Sequence, residues 1–413
     1  MYRMILCVSL IVASQALFAR LPCILTQESI EFQATVQMIP FATHNLYCGT
    51  TVEGKKSEGL SFLAEQSRII RGNLVELSEY DVEVLHHAHG YSLVTGDFNG
   101  IQDKHLHAIK VTDFKGINKP ESVKSRGANP LIQTLVDQID AGRWLNDVTT
   151  LSSWSRRTGE VGNVNAANWI STQMNGFGLS VTMPSFDVNG TSTNNILGVQ
   201  VGTTRPNDWY LVGAHMDSVP SGNAPGALDN ASGCSGVLEL ARIASQYSFE
   251  GTLLFICFSG EEQGLIGSEF HVDTLMMNND QNKIKVALTM DMIGYSANAQ
   301  RELLVESSVS LQWLLDTLVQ NAATYASGLT VFTSNNYFGS DHVPYIDNGM
   351  PGVLSIDDDW GVYPHYHRSS DLPEALNNTQ NQAEMILKTN LATLAMMAGI
   401  IDTSDVIFAD GFE

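Results

Sequence analysis

Apolar and polar residues change rhythm near residue 130. From about 24 to 125 they alternate with a period of two, as in 79–85 and 106–111, which predicts strands with one buried face. Beyond that point, short apolar runs of strand length take turns with longer amphipathic stretches. The runs 195–201, 209–214, 252–259, 286–291 and 302–306 are predicted strands, and 130–144, 164–174, 232–246, 266–277 and 310–326 are predicted helices. This alternation predicts an α/β fold with a mixed, largely parallel central sheet and helices on both faces. The stretch 113–130, with Gly116, Pro120, Gly127 and Pro130, reads as a linker. The chain thus divides into a small N-terminal β-rich domain or prosegment at 20–127, a larger domain at 128–402 and an acidic tail at 403–413.

Residues 1–19 read as a signal peptide. Arg3 precedes an apolar run from Met4 to Ala13, and small residues offer cleavage after Ala16 or Ala19. A membrane anchor needs a longer run, so the expectation is an exported protein with no membrane association once the signal is removed. Loss of Cys7 leaves Cys23, Cys48, Cys234 and Cys257. These permit two disulfides, Cys23–Cys48 and Cys234–Cys257, or leave Cys234 and Cys257 as small buried hydrophobes. A formal net charge of -22 argues against nucleic acid and anionic membrane as partners. His86, His87, His89, His105 and His107 fall in the N-terminal segment, either as exposed histidines on strands or as a second metal site.

The chemistry-bearing residues lie in the larger domain. His215 closes an apolar strand in Gly213-Ala214-His215-Met216-Asp217, and Asp217 can accept a hydrogen bond from the ring nitrogen that a metal leaves free. Asp229 sits in a small-residue loop that opens a helix, where it can bridge two cations or simply cap the helix. Glu261 and Glu262 follow a buried strand. Adjacent carboxylates repel unless a cation or a shared proton offsets them, so Glu262 is assigned to a metal and Glu261 to taking a proton from water. Asp291 ends another strand, and a buried carboxylate there calls for a cation. Near the C-terminus either His365 or His367 can ligate, and the phenol of Tyr337 can donate to a developing oxyanion. In sheets of this kind ligands sit beyond the carboxyl ends of strands, where His215, Glu261, Glu262 and Asp291 all fall.

On these motifs, together with Ser340-Asp341-His342 and His367-Arg368-Ser369-Ser370-Asp371, the chain resembles the two-zinc aminopeptidase superfamily over about residues 130–402. The secreted bacterial leucyl aminopeptidases are the members it resembles most. The resemblance implies two zinc ions: Asp229 bridging, His215 and Asp291 on one, Glu262 and His367 on the other. It also implies Glu261 as general base, Asp217 as partner of His215, and Tyr337 as oxyanion stabiliser. The substrates implied are peptides with a free N-terminus. Met292, Leu354, Ile356 and Trp360 are implied to line a pocket for a bulky apolar first residue, while Asp357, Asp358 and Asp359 could instead receive a basic one. Asn335 and Gly339 stand where close relatives carry a cysteine pair. The same scaffold serves glutaminyl cyclases, carboxypeptidases and non-catalytic binding modules, which are the alternatives.

Overall fold

The computed structural model describes residues 22–26, 37–41, 44–48, 60–63, 67–78, 80, 82–96, 107–111, 114–120, 127–219, 223–378 and 381–402. The predicted signal peptide and acidic tail lie outside them. The chain forms two compact units: Met1–Lys119 with Phe332–Asn336 and Asp359–Tyr363, and the remainder.

The smaller unit is mainly antiparallel β structure, with one short helix at Leu74–Leu77. Ser67–Arg71 lies between Tyr91–Gly96 and His107–Lys110, and Val82–Ala88 pairs outside Tyr91–Gly96. Ile70, Leu77 and Val94 form its apolar centre. In a second set of strands the backbone register sets Cys23 opposite Cys48; their side chains lie outside the described set. Two later segments, unforeseen from sequence, join this unit through buried polar contacts. Tyr91 Oη lies 3.0 Å from Ser334 Oγ, and Asn73 Nδ2 donates to Trp360 O at 2.7 Å. His87 Nδ1 contacts Ser92 Oγ at 2.8 Å, whereas His89 occupies a turn with φ 54° and packs against Phe332. The side chains of His86, His105 and His107 lie outside the described set.

The larger unit holds a mixed sheet. Among the described residues its order is Ser180–Thr182, Ile196–Gln200, Gly251–Phe258, Arg205–His215, Ile284–Asp291, Gly352–Asp357 and Glu302–Glu306. The four strands ending at Phe258, His215, Asp291 and Asp357 run parallel, and the flanking pairs are antiparallel. Every residue of Gly251–Phe258 is buried, as expected of a central parallel strand covered on both faces. On one face Leu211, Leu254, Ile256 and Phe258 pack with Val272 and Leu275 of helix Ile266–Met277 and with Tyr345. Helices Ser232–Ala244 and Gln382–Ala398 contact Arg205–His215 as well, supplying cover from other parts of the chain. Gly233 allows the close approach of the first of these, because a Cβ there would collide with the Asn230 side chain and with Met290 O.

The single helix predicted at 130–144 is two, Pro130–Val136 and Ala141–Ser152. The break comes at Asp140, whose carboxylate caps the second by accepting from Gly142 N and Arg143 N. Cys234 and Cys257 are joined as a disulfide within this unit. Among the described residues no helix is long and apolar enough to cross a membrane.

Candidate metal centre

The parallel strands deliver their last residues to one edge of the sheet. His215 and Asp291 are the final residues of their strands, and Glu261 and Glu262 occupy the turn after Phe258. Asp229 comes from the irregular segment Ala227–Ala231 ahead of helix Ser232–Ala244, and His367 from a loop where its φ is 53°.

These side chains converge as two pairs about one carboxylate. Asp229 Oδ1 lies 3.3 Å from His215 Nε2, which is itself 3.4 Å from Asp291 Oδ1. Asp229 Oδ2 lies 3.3 Å from His367 Nε2, which is 3.4 Å from Glu262 Oε2. One oxygen of Asp229 therefore faces each pair. Glu261 Oε2 stands farther off, 3.9 Å from His215 Nε2. A third grouping, His215 with Glu261 and Glu262, also brings ligand atoms within 4.8 Å of one another. His365 is in none of these groupings among the described residues, and its Nδ1 lies 2.9 Å from Ser370 Oγ.

The electrostatics are those of a buried acidic cluster held together by imidazoles. Burial opposes the charged form of His215, but Glu261, Asp291 and Asp229 outweigh it and hold the imidazolium well above its usual range. Burial likewise opposes charge on Asp229, yet hydrogen bonds from His215 and His367 keep it well below the ordinary carboxylate range. Burial pushes Glu261 well up, and lifts Glu262 to about 7 with help from Asp229. Glu262 Oε1 is buried without a hydrogen-bond partner among the described residues. Imidazole nitrogens, carboxylate oxygens and an orphaned buried oxygen together fit divalent zinc, which takes N and O ligands of this kind.

The surrounding residues fix the cluster, and several carry no functional signal in the sequence. Asp217 was expected to hold His215 through its carboxylate. Instead its backbone carbonyl lies 3.2 Å from His215 Nδ1 and its carboxylate 3.7 Å. That carboxylate accepts instead from the amides of Glu261 (3.3 Å) and Glu262 (3.2 Å) and from the Thr158 hydroxyl (3.1 Å). Asp371 accepts from Leu228 N at 2.9 Å and Asp229 N at 3.0 Å, anchoring the loop that carries Asp229. Asn230 ties that loop to the next strand end by donating to Met290 O (3.0 Å) and accepting from Met292 N (3.2 Å). Ser340 donates to Asp291 Oδ2 at 2.8 Å. Arg156, wholly buried, donates to Met216 O and Gly226 O, in the stretches that carry His215 and Asp229. Arg157 beside it is partly exposed and paired with Glu160, so adjacent identical residues gave the sequence no means of telling the two apart.

The remaining candidates make contacts of their own. The Tyr337 hydroxyl donates to Asp347 Oδ1 at 3.0 Å. Leu354 has no exposed surface, and Met292 and Ile356 keep only 2% and 3%, so all three are core residues. Trp360 belongs to the smaller unit, with the Arg71 guanidinium 4.8 Å from its ring and Gly90 packed on its face. Asp357, an alternative acidic contact, is taken up by Tyr295 N and Gln382 Nε2, both at 2.6 Å.

Comparison with known proteins agrees with the fold. Residues 195–391 match the model of peptidase family M28. Aminopeptidase YwaD of Bacillus subtilis is 32% identical over 200 residues, which cover 46% of this chain and 42% of that protein. A probable leucine aminopeptidase of Arthroderma otae is 28% identical over 298 residues, 68% of this chain and 78% of that protein. Among solved structures, the LapA aminopeptidase of Legionella pneumophila superposes with a TM-score of 0.59 at 18% identity, covering 81% of this chain and 99% of that one. The chain spans less than half the length of the Bacillus relative. The chain is thus similar over residues 195–391 to peptidase family M28 and to named aminopeptidases, and it shares its fold with a solved one.

Proposed function

We propose that this protein is a secreted zinc aminopeptidase that removes the first residue from peptides through a two-zinc centre, with Glu261 as general base. The observation that carries the reading is Asp229, whose two oxygens face separate histidine–carboxylate pairs at 3.3 Å each. His215 and Asp291 would hold one zinc, and Glu262 and His367 the other. Bound zinc supplies Lewis acidity and brings the pKa of its water toward ~7.

The rest is work for this chain's own groups. Glu261 stands outside the four close contacts yet is buried beside them, so its carboxylate is the group left to take a proton from water and hand it to the leaving amine. Asp217 fixes its main chain through the amides of Glu261 and Glu262. Surplus carboxylate around the site favours a substrate's free ammonium terminus. Tyr337 can donate to an oxyanion once its hydroxyl leaves Asp347. The name of the Arthroderma relative supports a leucine-like first residue.

A panel of aminoacyl anilides tests this. Hydrolysis of leucyl anilide, none of its acetylated form, and loss of activity on chelation with recovery on adding zinc are the expected results. Cleavage of the acetylated compound, or glutaminyl cyclisation in place of hydrolysis, would overturn the reading.

Zinc binding should also release protons. In the metal-free chain His215 is held protonated above its usual range and Glu262 titrates near 7, whereas the ligands bind as neutral imidazole and carboxylate. Zinc affinity therefore rises with pH through neutrality. Calorimetry at pH 7 in buffers of different ionisation enthalpy should report more than one proton released per chain; heats independent of buffer would contradict this.

A further inference from the structure

We propose that Arg156 is a positioning residue of the metal centre: one guanidinium grips the two loops that carry His215 and Asp229 and balances the carboxylates gathered there. The inference rests on the metal reading above. Arg156 Nε donates to Met216 O at 2.8 Å, one residue beyond His215. Its Nη2 donates to Gly226 O at 2.7 Å, three residues before Asp229. Its Nη1 donates to Leu151 O at 2.9 Å, near the end of helix Ala141–Ser152, and also to Pro225 O. The Arg156 amide adds a bond to Ala224 O at 3.2 Å. The planar fork thus locks three separate stretches of main chain.

Each of these side-chain acceptors is a neutral carbonyl, so the positive charge itself is compensated from farther away. A wholly buried cation is costly unless charges of opposite sign surround it. Asp371, Asp217, Asp229 and Glu262 provide that field. Two are proposed zinc ligands, and the other two accept from the amides of ligand loops. Arg156 is therefore a cation of fixed charge beside a cluster of carboxylates and titratable imidazoles. The loop is also fitted tightly about it: Gly226 has φ 47°, and a Cβ there would meet Asp229 O, Ser218 and the guanidinium. Lysine, a point charge with three donors on one atom, cannot reproduce a fork that spans these carbonyls.

The test compares zinc titrations of chelated wild type, Arg156→Lys, Arg156→Gly and the neighbouring control Arg157→Gln, with cobalt-substituted absorption spectra alongside. Zinc affinity should fall about 10–100-fold in Arg156→Lys, the range seen when a partner of a metal ligand is lost, and the cobalt bands should shift. Arg157→Gln should match wild type. Millimolar guanidinium should return part of the lost affinity to Arg156→Gly, which keeps the test decisive if the lysine variant folds poorly. Wild-type affinity and cobalt spectrum in Arg156→Lys, or no guanidinium rescue of a folded Arg156→Gly, would overturn the proposal. A wild type that binds no zinc would show instead that the metal reading has failed, since that result is read before any variant is compared.

Discussion

Replacing Glu261 by glutamine should lower kcat on leucyl anilide by about 10²–10⁴-fold, the range expected when a general acid–base group is removed, while zinc content stays at the wild-type level. The substitution keeps the size of the side chain and removes its ability to accept and return a proton. The backbone amide of residue 261 still donates to Asp217, so the turn that presents Glu262 is preserved. Of the carboxylates near His215 Nε2, Glu261 is the one at 3.9 Å, while Asp229 and Asp291 lie at 3.3 and 3.4 Å. Loss of rate together with loss of zinc would mean that Glu261 is a ligand, as the grouping with His215 and Glu262 allows. Unchanged turnover would remove it from the chemistry.

Asp229→Asn should be more damaging to the centre itself. An amide offers one oxygen where the carboxylate offers two, and it carries no charge to offset two cations. Zinc content should drop from two per chain to at most one, and activity should fall below detection. The variant keeps the loop's anchors, because Asp371 bonds the amides of residues 228 and 229 and Asn230 bonds Met290. A folded protein with a deficient centre is therefore expected, with metal analysis and near-ultraviolet circular dichroism as the checks. Retention of two zinc ions would show that Asp229 does not bridge.

Four of the five proposed ligands, all but His367, stood out in the sequence because they lie at the start or end of a recognisable element. His215 and Asp291 close apolar strands, Glu261 and Glu262 follow one, and Asp229 opens a helix. Linear order was then enough to suggest convergence, since parallel strands deliver their carboxyl ends to one edge. What holds the ligands was harder to read. Arg156 acts on main-chain carbonyls, which are the same at every position and leave no trace in residue identity. Asp217 looked like a partner for the His215 ring, but two amides nearby compete for its carboxylate. The Gly352–Asp357 strand and the Gln382–Ala398 helix escaped notice because both are largely buried, so neither shows a clear polar stripe. Trp360 was implied as a pocket residue by the resemblance alone, and nothing in the sequence showed that the chain enters the smaller unit within two residues of Asp357.

Anomalous diffraction at the zinc edge, from crystals of the zinc-loaded protein, tests the shared aspartate most directly. Two peaks about 3.5–4 Å apart, the usual spacing of paired catalytic metals, should flank Asp229, one beside His215 and Asp291 and the other beside Glu262 and His367. A single peak, or peaks that leave Asp229 unligated, would contradict the account.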